Sequence, residues 1–101
     1  MRTELLNHTM HDGSRQFAAL PESQSFDRLR DHLKIFNGAV VTEFLTDGVT
    51  EVWIDFVYRR HCFTVNNQFG EYWFFVADPN CPDEVLTEVV SHCETLLQDS
   101  P

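Results

Sequence analysis

The chain has 101 residues, 43 % of them hydrophobic and 23 % charged, which is enough apolar content for one folded domain and excludes a wholly disordered one. Its net charge of −9 is one-sided: five acids balance five bases up to Lys34, and eleven acids face only Arg59 and Arg60 from Ile35 onward. That field repels nucleic acid phosphates and attracts basic proteins, so a protein partner is expected, a basic one by charge, and no nucleic acid.

Residues 1 to 20 read as an N-terminal arm, either partly disordered or covering the sheet, and 21 to 101 as a single α+β domain. Within the arm, Met1 to Gly13 lacks the basic start and apolar run of a signal peptide. Phe17, Ala18, Ala19 and Leu20 form a short apolar patch after it. No run of about 18 apolar residues occurs, so no membrane association is expected. The three cysteines, Cys62, Cys81 and Cys93, are too few and irregular for a disulfide framework, which favours reduced thiols and a cytoplasmic setting.

The first helix is expected from Ser23 or Ser25 to Phe36, with a serine as N-cap and Asp27 in its first turn. Phe26, Leu29, Leu33 and Phe36 then share one face, and Asn37-Gly38 supplies the stop. Four strands follow, at 39–46, 49–58, 61–66 and 71–77. Asp47-Gly48 is a strong hairpin signal because both central positions of a type I′ turn need positive φ. Arg59-Arg60 lacks that chemistry, yet a turn there would set Phe56 against Phe63 and Ile54 against Val65. A loop near Asn67 to Phe69 would likewise set Val65 against Tyr72 and Phe63 against Phe74. Pro82 suits the first position of a last helix, whose start is favoured by Asp83 and Glu84 and whose stripe is Val85, Leu86, Val89, Val90, Cys93, Leu96 and Leu97.

The expected fold is therefore an antiparallel four-stranded β-meander with two helices packed on one face, in the order α-β-β-β-β-α. The double-stranded-RNA-binding domain has a similar plan, but this last helix opens with acids where that family presents lysines. The expected core face is Val41, Ile54, Phe56, Phe63, Val65, Tyr72, Phe74 and Val76, packed on Leu29, Leu33, Phe36, Val89, Cys93 and Leu96.

The strands are unusual in being apolar on both faces, since a half-solvated antiparallel sheet should read polar outside. Trp53, Trp73 and Phe75, with Phe44 alongside and Asp55 among them, are the expected binding residues. Two arrangements could cover that face instead: the segment Phe17 to Leu20 folded back, or a second copy in a homodimer. Asp55 is expected either to bond a neighbouring hydroxyl or to face solvent, where its charge opposes stacking of another sheet on this face.

Catalytic signals are weak. Cys81 precedes a helix, where a thiolate is stabilised, but it has no second cysteine at C-x-x-C spacing and stands among Asp78, Asp83 and Glu84. A thiol enzyme using Cys81 is the third function considered, after a small acidic non-catalytic binding domain and a homodimeric structural protein. His8 and His11 could share a helical face, yet two ligands do not close a zinc site, and no metal is expected. The four glycines are used in turns and caps rather than in a phosphate loop, so no cofactor is expected.

Overall fold

The computed structural model describes residues 5–46, 51–67 and 70–97. It is an α+β fold whose antiparallel sheet has six strands rather than four. The elements are β1 (His8–Thr9), β2 (Arg15–Pro21), α1 (Phe26–Lys34), β3 (Ala39–Thr46), β4 (Val52–Tyr58), β5 (His61–Asn66), β6 (Glu71–Val76) and α2 (Asp83–Leu97). Their order across the sheet is β1-β2-β6-β5-β4-β3, so the expected meander is present and the N-terminal segment extends it beyond β6. Two strands thus precede the first helix, which corrects the expected α-β-β-β-β-α order.

The correction has a local cause. Asp12-Gly13 makes the turn between β1 and β2: Gly13 takes φ +89°, its N–H donates to Met10 O, and Asp12 Oδ1 accepts from the Ser14 amide and hydroxyl. Once turned, Arg15 to Pro21 lies along β6 and buries Phe17, Ala18 and Leu20. A bulge between Gln16 and Ala18 keeps Phe17 in the core, where its ring meets Phe63 edge-on at 5.7 Å. Arg15 fastens this strand from the core side: it is buried, its Nε donates to Leu6 O, and its guanidinium pairs with Asp83 at the start of α2, 3.2 Å away.

Helix α1 begins after Ser25, whose hydroxyl accepts from Arg28 N, and its stripe buries Leu29 and Leu33 with Phe26 and Phe36 partly covered. Gly38, at φ +91°, carries the chain from the helix into β3. The two helices meet through a reciprocal histidine pair. His32 Nε2 donates to His92 O at 2.7 Å, His92 Nε2 donates to His32 O at 2.6 Å, and the rings stack 4.0 Å apart with Phe36 on the far side of His92.

The Arg59-Arg60 turn has the positive φ values, 48° and 68°, that a two-residue type I′ hairpin demands, despite its arginines. Arg59 is held there by Glu88, 2.7 Å from its Nε, and by the Tyr58 hydroxyl, an arrangement that raises the Arg59 pKa. The register across it is the expected one, Phe56 opposite Phe63 and Ile54 opposite Val65. Between β5 and β6 the register differs: Val65 faces Phe74 and Phe63 faces Val76, because the connection is two residues longer than expected. A shift of two leaves every side chain on its expected face. The Asp47-Gly48 turn lies outside the described residues.

Candidate functional site

Antiparallel pairing arranges the sheet's outer face, opposite the helices, in rows. One row runs Leu45, Trp53, Asn66, Trp73 and Ala19 across β3, β4, β5, β6 and β2; the next runs Glu43, Asp55, Thr64, Phe75 and Gln16. Val40 and Val57 stand in a third row. Trp53, Asp55, Trp73 and Phe75 therefore do share one face, with Trp73 and Phe75 6.4 Å apart in tilted contact.

Phe44 does not join them. A bulge between Val41 and Glu43 inserts Thr42 and reverses the phase of β3, so Phe44 faces Ile54 on the helix side, packs against the core, and lies under the Arg30 guanidinium at 4.7 Å. Leu45, left out of the expected set, takes the outer position beside Trp53. The sequence holds a trace of this: Val41 and Phe44 are three apart with Thr42 and Glu43 between, which no unbroken period of two accommodates.

Asp55 is the polar centre of the face. Its Oδ1 accepts from the Trp53 indole at 3.0 Å and from the Thr64 hydroxyl at 2.7 Å, fixing both side chains relative to the carboxylate. The two halves of the face then diverge. Over β2 and β6 the N-terminal segment approaches, and a groove of about 630 Å³ runs between Leu6, His8 and Met10 on one side and Gln16, Ala19 and Trp73 on the other. A smaller cavity of about 210 Å³ lies between the Asp12 turn and the sheet, walled by Trp53, Thr64, Asn66 and Phe75. Over β3 and β4 the face is more open: among the described residues Val40 is 62 %, Leu45 54 % and Trp53, which the Asp12 turn reaches from one side, 41 % exposed. A concavity of about 330 Å³ opens there among Leu45, Glu51, Trp53 and Asn66.

The remaining candidates are placed as follows. Cys81 is buried before α2, its sulfhydryl directed at Pro82 O, 3.9 Å away. Burial pushes this thiol's pKa up and Asp78 adds to the effect, while Arg15 opposes it and Asp83 contributes least, so these surroundings favour the neutral thiol over the thiolate. Cys93 is buried in the α2 stripe, its pKa likewise raised by burial, and Cys62 is exposed; all three are free. His8 lies in β1 and His11 in the turn after it, not on a common helix. Among the described residues no three histidine, cysteine or acidic side chains cluster as metal ligands, and no helix is long and apolar enough to cross a membrane.

Comparison of the chain with protein-family models, with curated proteins and with solved structures gives no match.

Proposed function

We propose that this chain is a small acidic, non-catalytic binding domain that docks a basic protein through the β3–β4 half of its outer sheet face. The observation behind this reading is the exposed pair Leu45 and Trp53, directly opposite one another on adjacent strands, with exposed Val40 on the same face beyond the Glu43–Asp55 row. Monomers seldom leave such neighbours open to water, and tryptophan is the residue most enriched where interfaces hold tightest. Two further features suit a basic, extended partner. Glu43 and Glu51 are exposed beside the patch and Asp55 is half-buried within it, so the local field has the sign of the whole chain. Among the described residues, the outer edge of β3 from Ala39 to Leu45 has no strand beside it, and a partner strand could pair there.

The homodimer reading uses the same patch and meets repulsion between two bodies of charge −9. The thiol-enzyme reading loses ground to the burial of Cys81. The test compares the parent with Leu45→Asp, which places a charge in the patch without touching the core. A basic protein bound by the parent, released by added salt and not bound by the variant, supports docking. A parent that is dimeric by light scattering and a variant that is monomeric support the homodimer and overturn the heterotypic reading. A variant that binds the same protein as tightly as the parent places the interface elsewhere.

A further inference from the structure

We propose that the cavity between the β1–β2 turn and the outer sheet face is a binding site for a slender organic cation, an alkylguanidinium or alkylammonium group. Ser14 Oγ already donates its proton to Asp12 Oδ1 at 2.7 Å, and Thr64 Oγ1 donates its own to Asp55 Oδ1 at 2.7 Å. Each hydroxyl can therefore only accept from a ligand. Asp12 is a carboxylate kept ionised by the Ser14 hydroxyl and amide, which lower its pKa. Asn66, 6 % exposed, also lines the cavity, and among the described residues its Oδ1 is a buried acceptor with no hydrogen-bond partner. That acceptor has almost no accessible surface as it stands, and a turn of the Asn66 amide toward the cavity would let a donor-bearing ligand satisfy it.

The apolar walls fit the same guest. Trp53 and Phe75 supply aromatic rings, and Met10, Cys62 and Ala77 complete the lining with no lysine, arginine or histidine among them. The Trp53 indole donates to the Asp55 carboxylate, which enriches its ring in electron density and so strengthens its attraction for a cation. An anion would meet the Asp12 carboxylate and two hydroxyls whose protons are already engaged, with the Asn66 amide NH2 as the one side-chain N–H donor in the lining besides the Trp53 indole, which Asp55 already holds. The cavity's 210 Å³ is the volume of about seven waters at roughly 30 Å³ each, room for a guanidinium and a short stem. This site does not depend on the docking surface above; Trp53 belongs to both, so its test leaves Trp53 unchanged and the two readings fail separately.

The probe is butylguanidinium, with butylurea as its neutral isostere, titrated calorimetrically into the full chain while the indole resonances are followed by NMR. Saturable binding of butylguanidinium at least tenfold tighter than butylurea, shifting the Trp53 indole N–H, is the expected result. Asp12→Asn and Thr64→Val should each weaken it about tenfold with circular dichroism unchanged. Two variants are used because Asp12 also shapes its turn, whereas Thr64 lies within the sheet. A further arm compares butylguanidinium with an acetylated, amidated Gly-Arg-Gly peptide. Tighter binding of the peptide assigns the guest to a polypeptide side chain, tighter binding of the free cation to a small molecule, and either supports the site. No saturable binding by the parent, equal binding of butylurea, or binding unchanged in a folded Thr64→Val variant overturns it.

Discussion

Trp53 and Trp73 stand on either side of Asn66 in one cross-strand row, with the same chemistry and the same face, yet they have different surroundings. Trp73 sits on β6 next to β2, where the N-terminal segment runs alongside it. Trp53 sits on β4 next to the edge strand β3 and is 41 % exposed. The difference is one of sheet position rather than of sequence. The segment from Leu6 to Met10 lines a groove with Trp73, whereas only the Asp12 turn reaches Trp53, which stays the more exposed of the two among the described residues. The apolar outer face is therefore divided between self-coverage and an open patch, instead of belonging wholly to either.

The largest test of this division is to remove the cover at its root. Phe17→Ala empties a fully buried ring position in β2, and should cost about 3–5 kcal/mol, measured by urea denaturation. A cost near zero would mean that β2 does not contribute to the core and that the closed half is not closed. On the open half the effect should fall on binding instead. Trp53→Ala should weaken partner binding by about 2 kcal/mol or more while moving stability by under about 1 kcal/mol. Loss of both together would deny the open half its separate role.

Arg15 is expected to give an intermediate effect. Its buried guanidinium joins Leu6 O and Asp83, but Asp83 is largely solvated, so Arg15→Met should cost about 1–2 kcal/mol. In single-tryptophan variants, Arg15→Met should also make Trp73 more accessible to acrylamide and leave Trp53 as it was. Equal changes at both tryptophans would remove the distinction between the halves.

The smallest expected effect lies on the helix side, and serves as a control remote from both halves. Burial lowers the His92 pKa, with the neighbouring His32 acting in the same direction and the bond to the His32 carbonyl opposing it. The unfolded chain therefore binds the proton more readily than the folded one. The stability contributed by neutral His92 is fully present above the unfolded value of about 6.5 and is lost as pH falls through the lower folded value. His32 and Thr95 face it, and Glu88 one turn away is engaged by Tyr58 and Arg59. His92→Gln, which keeps a donor for His32 O, should flatten the fall in melting temperature below about pH 6.5. An unchanged slope would assign that acid sensitivity to other groups.

Much of the fold was legible because it is written in local patterns. The Ser25 cap and the Leu29–Leu33 stripe predict α1, Pro82 and the Val85–Leu97 stripe predict α2, and strict alternation in β4 and β6 assigns Ile54, Phe56, Tyr72 and Phe74 to the core. The β4–β5 register followed from matching apolar residues across a two-residue turn even though arginines fill it. Asp12-Gly13 carried the same turn signal as Asp47-Gly48, but its first strand has only two residues, too short to show alternation. The second strand, with Phe17, Ala18 and Leu20 buried in a bulged run, hides its period.

By itself, then, the sequence determined the element types from α1 onward, the meander, the core face and the sign of the field, since each depends on near neighbours or on composition, but not the two strands before α1. Only the tertiary structure decided which edge β2 would join, that the Thr42 bulge turns Phe44 inward and Leu45 outward, and which tryptophan is covered. Those outcomes depend on pairings between residues more than fifty positions apart, Ala19 with Trp73 among them, and on a single inserted residue that reverses a period of two.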